Sequence, residues 1–449
     1  MTTPLGFDDL KDILHRRIDL LPDHRKQGPN TRYSVQDAAL GAFGIFFTQS
    51  PSFLDYQRHL QQTKGQNNAC TLFGVETIPC NNQIRNLLDP MMPRHLDGVY
   101  LAVFEGLEQH GSLASFRVLS DQLLMAMDGT QYFSSKAIHC QNCLRRQTSN
   151  SQTLYYHSAM TPVIICPGRS EVIALPPEFI MPQDGHDKQD CERVAGKRWI
   201  DKHAKHVAPH GITLLGDDLY RNQPLCKLAL DNGFNFIFVC KPDSHATLYE
   251  RLAFWQANDA IKELETRRRH GCVTEVTMYR YMNEVFLRDG PGALAVNWLE
   301  ITSVNAKTGE QLYHNSFITT HRLSAENVSQ VAQAGRGRWK VENENNNVLK
   351  TKGYHIEHNF GHGQKYLAAF LLSLNLLAFL FHTVLQWGDD KYALLRQVLV
   401  RRQTFFDDIR ALTRYIVFES WHHLMDFMIR GLELEARLEA KLEAKLDTS

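Results

Sequence analysis

The chain carries no net charge, since 49 Lys and Arg balance 49 Asp and Glu. A basic field over the whole surface is therefore absent, and any hold on nucleic acid must come from local clusters. Basic clusters exist at Arg267-Arg268-Arg269, at Lys197-Arg198 and from Arg336 to Lys352. The first reads equally well as an exposed helix end. The opening segment MTTPLGFDDLKDILHRR lacks the basic-then-apolar pattern of a secretory signal. The nine cysteines are odd in number and scattered, without the even pairing of a disulfide framework. Together these absences lead us to expect a reducing, cytoplasmic setting.

One apolar run could mislead. Tyr366 to Trp387 is nearly long enough to span a bilayer. Ser373, Asn375, His382 and Gln386 interrupt it, and GHGQK before it offers no strong flanking anchor. We expect a core helix there and no membrane association.

What is present concentrates in Gly335 to Lys352, GRGRWKVENENNNVLKTK. Arg338 and Glu342 stand four apart, so on a helix they share one face. Lys340, Lys350 and Lys352 add positive charge, and Asn345 to Asn347 add short polar side chains. A carboxylate among cations suits a site that holds both a divalent ion and a phosphate backbone. A solvated, charge-striped helix would look much the same. Two upstream aspartates tilt the balance. Asp128 follows the mostly apolar run Val118 to Met127, and Asp217 follows Ile212 to Leu215 and Gly216. Such runs suggest buried strands, and carboxylates at strand ends of an α/β sheet face the crevice where ligands bind.

With Asp128 in MDGT, Asp217 in LLGDDLY and Glu342 in RGRWKVE, the chain resembles a DDE transposase of a bacterial insertion sequence. The resemblance covers roughly residues 115 to 385. It implies an RNase H-like mixed α/β sheet flanked by helices, with Asp128, Asp217 and Glu342 as catalytic and metal-ligating acids. The implied cofactor is a pair of Mg²⁺ or Mn²⁺ ions, about 3.5–4 Å apart, that serve phosphodiester cleavage and strand transfer. The implied partners are double-stranded DNA at element ends, target DNA and a second copy of the chain in a homodimer. Arg338 and Lys350 would contact DNA phosphate, and Asp218 would point away from the site. The chain departs from the family signature of Tyr, two residues, Arg, three residues, Glu, six residues, Lys. Gly335 holds the Tyr position, and Lys350 comes one residue late. That slip makes Glu344 a rival third acid, although the R-W-x-x-E spacing favours Glu342. A metal-dependent nuclease of the same fold, or a decayed DNA-binding descendant, is the alternative function.

A length of 449 residues with 43% hydrophobic content allows two or more domains. We expect a helical DNA-binding domain over 1–112, broken at Gln27 to Asn30 and Thr63 to Gly65. Within it, Ile78 to Leu88 reads as a turn feeding a short helix, as in a helix-turn-helix reader. The catalytic core is expected over 113–244 and 323–388, with strands at Thr153 to His157, Pro162 to Cys166, Glu171 to Leu175 and Phe234 to Cys240. Helices are expected at Lys188 to His206 and Leu225 to Asn232. A β-rich insertion occupies 245–322, through Val273 to Tyr281, Leu294 to Val304 and Gln311 to Thr319. Residues 389–449 read as helical, and the four-residue step of Leu434, Leu438, Leu442 and Leu446 favours a solvated helix over a dimerising coil. Finally, Cys140 and Cys143 form a C-x-x-C that could bind zinc with His157 and either His139 or Cys166. Unpaired thiols on a hairpin are the expectation, since no second pair follows.

Overall fold

The computed structural model describes residues 5–26, 28, 31–61, 67–182, 191–271 and 273–446. The breaks expected at 63–65 and at positions 27, 29 and 30 lie outside this set, as do residues 188–190 of one expected helix.

The chain opens with six helices: α1 (Phe7–Ile18), α2 (Val35–Phe47), α3 (Phe53–Gln61), α4 (Asn68–Phe73), α5 (Asn81–Leu88) and α6 (Asp97–Gln109). Helix α2, VQDAALGAFGIFF, has no polar face after its first turn and is buried along almost its whole length. Ser34 caps it, its hydroxyl accepting from the Asp37 amide at 2.8 Å. Helix α5, in the segment read as a recognition element, buries Ile84, Leu87 and Leu88 and exposes Asn81, Asn82, Gln83 and Asn86.

Seven strands follow: β1 (Leu123–Ala126), β2 (Gly129–Ser135), β3 (Leu144–Gln147), β4 (Thr153–Met160), β5 (Val163–Ile165), β6 (Ile173–Ala174) and β7 (Glu178–Ile180). Only the second half of Val118 to Met127 is strand, because Leu119, Ser120 and Asp121 turn with positive φ. Then come α7 (Glu192–Val207), β8 (Ile212–Gly216), α8 (Gln223–Asp231), β9 (Asn235–Val239) and α9 (Ala246–Ala257). The expected β-rich stretch holds β10 (Lys262–His270), β11 (Val273–Phe286), β12 (Ala295–Asn305) and β13 (Gln311–Thr319). Arg267 to Arg269 lie on β10, so they end no helix.

The result is a mixed α/β architecture. A nine-stranded sheet runs β10-β11-β12-β13-β9-β8-β1-β5-β6. Strands β1, β8 and β9 are parallel neighbours, while β5 is antiparallel to β1 and β6 to β5. Strand β13 pairs antiparallel with β9, so the insertion extends the central sheet. A second sheet, β2-β4-β3, is formed by chain between β1 and β5, and β7, which follows β6, joins it beside β4.

After the sheet, α10 (Val328–Arg336) runs through a 3-10 turn and a π-helical turn (Val341–Asn346) into α11 (Asn347–Thr351). The chain ends with α12 (Leu367–Gly388), α13 (Asp390–Val398), α14 (Arg402–Tyr415), α15 (Trp421–Gly431) and α16 (Glu435–Leu446). Among the described residues, α12 is the one helix long and apolar enough to cross a membrane, and it lies inside the protein. Several of its polar side chains are hydrogen-bonded there. Asn375 donates to Tyr354 O at 2.8 Å, and Ser373 donates to Ala369 O at 3.1 Å. His382 Nε2 bonds Phe47 O at 3.0 Å and Nδ1 bonds the Tyr354 hydroxyl at 2.6 Å. Because a carbonyl can only accept, Nε2 carries the proton and Tyr354 donates to Nδ1. Helices α2 and α12 share this core, with Phe43 edge-on to Phe381 at 5.1 Å. Leu434, just before the last helix, is buried, and within the helix Leu438 is half-buried and Leu442 exposed.

Candidate metal-binding and nucleic-acid site

Two parallel strands deliver the first two acids. Ala126 of β1 pairs with Leu215 of β8, and two residues farther along each strand stand Asp128 and Asp217. The Met127 amide bonds Leu215 O at 3.0 Å, which carries the alignment past the end of β1. Both carboxylates therefore emerge side by side at the C-terminal ends of neighbouring strands. Asp217 Oδ1 also accepts from the Leu219 amide at 2.8 Å, in a turn that brings Tyr220 back under the strand. Only glycine permits that return, since a Cβ on Gly216 would stand 2.8 Å from Tyr220. Asp218 faces elsewhere, accepting from the Lys241 amide at 3.0 Å and the Ser244 hydroxyl at 2.6 Å.

The third acid comes from the helical segment. Glycines let this segment lie close on the sheet: a Cβ on Gly335 would meet the Phe317 ring at 2.8 Å, and one on Gly337 would meet Ile165 at 2.8 Å. A tyrosine at 335 has no room. Arg338 is buried and donates from Nη1 to Glu342 at 3.0 Å while stacking over Trp339 at 4.6 Å. Lys350 pairs with Glu357 at 3.1 Å. The π turn adds one residue to the helix. Lys350, eight residues after Glu342, thereby falls on the face that a seven-residue step reaches on an unbroken α-helix.

The asparagine run locks this turn in place. Asn345 donates to the Thr161 hydroxyl at 3.2 Å, and Thr161 donates to Asn346 Oδ1 at 2.9 Å. Asn346 then reaches Asp128 Oδ2 at 3.5 Å, while the Thr161 amide holds Asp128 O at 3.0 Å. A fourth acid, missed in the sequence, completes the surroundings. Glu192, the first residue of α7, accepts from the Tyr220 hydroxyl at 3.0 Å. It packs so tightly on Gly129 that a Cβ there would stand 2.5 Å from its Oε2. No sequence signal marks Glu192, because its partners lie far along the chain.

These groups share one electrostatic environment. Burial pushes the Asp128 carboxyl up to about 7, and Glu192 and Glu342 push in the same direction. Arg338 opposes them, and Asp217 adds to the rise. Burial likewise raises Glu192, with the Tyr220 hydrogen bond opposing and Asp217 adding. Glu344 is not among the leading charges on either acid. All their donor atoms are oxygen, the chemistry a hard divalent cation takes, but among the described residues the side chains whose donor atoms converge as a metal-holding group are Cys140, Cys143, His157 and His362, not these acids.

Positive charge lies along the same helical segment. A cleft is lined by Arg336 and Lys340 on one side and by Arg267 and Arg268 of β10 on the other. Arg336 stacks over Tyr313 at 4.2 Å, and Lys340 caps Arg169 O. Lys197-Arg198 plays another part: Arg198 binds Glu178 at 2.8 Å and ties α7 to β7.

The C-x-x-C pair also finds company, though its fourth member differs from expectation. Cys140, Cys143 and His157 converge with His362. His139 is exposed and stacks on Tyr155 at 4.4 Å, and Cys166 turns toward Ser115 O. No family model matches this chain, and no curated protein is found to match it.

Proposed function

We propose that the protein is a DDE-type transposase, cutting DNA at element ends and joining it to target DNA in a metal-dependent reaction on an RNase H-like core. The observation that supports this reading is the placement of Asp128 and Asp217 two residues beyond the paired Ala126 and Leu215 of adjacent parallel strands. The strand sequence β6-β5-β1-β8-β9 supports the core assignment, with two antiparallel pairings on one side of β1 and two parallel pairings on the other.

Asp128, Asp217 and Glu342 would hold Mg²⁺ or Mn²⁺. Such ions, when bound in a pair, activate a water or 3′-hydroxyl and stabilise the leaving oxygen. The protein's own part is placement. Asn346 and the Thr161 amide hold Asp128, the Leu219 amide holds Asp217, and Arg338 holds Glu342. Arg267, Arg268, Arg336 and Lys340 would position the phosphate backbone without reading sequence. The active form is proposed as a homodimer on two element ends.

Purified protein incubated with Mg²⁺ and labelled ends, taken from the inverted repeats flanking the gene, tests this directly. Joined products support the transposase. Nicks alone would indicate a nuclease of the same fold, and an intact shifted probe a protein that only binds.

A further inference from the structure

We propose that Cys140, Cys143, His157 and His362 form a closed structural zinc site that staples the second sheet to the segment entering α12. The four come from three separate places. Cys140 and Cys143 lie on the β2–β3 connection, His157 on β4, and His362 between α11 and α12. All four are buried.

The donor spacing is that of a tetrahedron. Cys140 Sγ and Cys143 Sγ are 3.9 Å apart, and each lies 3.6 Å from His157 Nε2. Cys143 Sγ is also 3.6 Å from His362 Nε2, and all four donor atoms fall within 4.8 Å of one another. With Zn–S about 2.3 Å and Zn–N about 2.0–2.1 Å, a regular tetrahedron has S···S edges of about 3.8 Å and S···N edges of about 3.6 Å. The sulfurs are too far apart for a disulfide, which needs about 2.05 Å.

The surroundings also fit a metal. Tyr132 stacks on His157 with centroids 5.6 Å apart, and Phe133 packs on His362 at 4.4 Å, which fixes both rings and excludes water. The Cys140 amide points at Cys143 Sγ at 3.4 Å, a donor that favours a thiolate. Two thiolates and two imidazoles select zinc among the common divalent ions by softness and geometry. Four protein ligands leave no open position, so the site is structural and not catalytic. On binding, each cysteine thiol releases its proton to solvent and each histidine donates a neutral ring nitrogen.

The staple reaches the acid site through the backbone. Strand β2 begins at Gly129, directly after Asp128, and the Asn142 side chain already donates to Lys365 O at 2.5 Å across the same junction. A metal here joins chain before Asp217 to chain after Glu342.

Full-length protein without an affinity tag, purified from zinc-supplemented cells, should contain one zinc per chain by elemental mass spectrometry. Exchange into Co²⁺ should give a thiolate-to-cobalt charge-transfer band and the intense visible bands of a tetrahedral ion. Cys143→Ser and His362→Ala should lose the metal, while His139→Ala keeps it. If a variant fails to fold, chelator titration of the wild type replaces it, and zinc loss should lower the melting temperature. Protein that is folded, free of zinc and unable to take Co²⁺ with a charge-transfer band overturns the proposal. So does a Cys143→Ser protein that retains its full zinc. None of these readouts depends on DNA cleavage.

Discussion

Tyr220 donates its hydroxyl to Glu192 across the start of α7, at 3.0 Å, and so ties the turn after Asp217 to the neighbour of Asp128. The pair joins the two strand ends from below. Glu192 is therefore expected to tune or orient Asp128 and Asp217, the acids proposed to bind metal. Glu192→Gln should lower Mg²⁺-dependent cleavage by roughly 10–100-fold, the usual effect of losing a group that orients a ligand. Tyr220→Phe should cost about 1 kcal/mol of stability and a smaller share of activity. Full activity across the Mg²⁺ titration in Glu192→Gln would show that Glu192 serves packing alone.

Asp128→Asn, Asp217→Asn and Glu342→Gln should each reduce cleavage to background while leaving DNA retention intact. The amides keep the shape but lose the charge that holds the cation. Glu344→Gln should retain cleavage. Gel assays on one labelled substrate compare all four, and an active Glu342→Gln beside a dead Glu344→Gln would transfer the role.

Arg338 and the cleft cations should separate in salt dependence. Arg338 is buried against Glu342, so Arg338→Ala should abolish cleavage with the salt slope of binding unchanged. Arg268→Ala and Arg336→Ala should each flatten that slope by about one contact. Binding measured from low to physiological salt decides the matter, and a flatter slope in Arg338→Ala would return it to the phosphate-contacting set.

Asp97 gives a pH signature away from the acids. Burial pushes its carboxyl up to about 7, with Glu178 adding and Lys202 and Arg94 opposing. The folded chain thus keeps a proton that the unfolded chain releases near the ordinary carboxylate value, and stability falls as pH rises through that window. Asp97→Asn removes the titration, so its stability relative to wild type should rise by on the order of a few kcal/mol from about pH 4 to pH 7. His203, 3.8 Å away and pushed down to about 4 mainly by burial, works in the opposite sense. It is present in both proteins, so its own share largely cancels. Denaturant melts at stepped pH provide the check, and a difference that stays flat across the range contradicts it.

Deleting residues 1–112 should leave an insoluble remainder. Phe7 stacks on Trp421 at 4.9 Å, Phe47 O receives His382, and Phe43 covers Phe381. Removing these partners bares α12, a helix apolar on nearly all faces. A truncated protein that stays monomeric with native helix content would show that the remainder can cover α12 by itself.

Local signals carried much of this arrangement. The ends of the apolar runs before Asp128 and Asp217 form strands, punctuated by Gly and Asp, and of the interruptions in 366–387 Ser373, Asn375 and His382 make buried hydrogen bonds. What stayed hidden depends on distance along the chain. Asn345 and Asn346 look like filler until Thr161 stands opposite them, and Glu192 looks like an ordinary helix start until Tyr220 folds back. His362 lies 219 residues from Cys143 in sequence, beyond any spacing rule. Arg267 to Arg269 were ambiguous for another reason: only pairing of β10 with β11 decides between helix end and strand.

Continuity of the sheet sets how this molecule can move. From β10 to β8, each strand is hydrogen-bonded to the next, so the arginines of the outer edge and Asp217 ride on a single plate. A hydrogen-bonded sheet twists readily but resists shear. Continuous pairing through β13 and β9 opposes a hinge between the insertion and the central sheet, so the gap between cleft and acids is set by the fold. Under the proposed function, a duplex lying in the cleft would meet a fixed gauge, and its ease of bending would be part of what is selected.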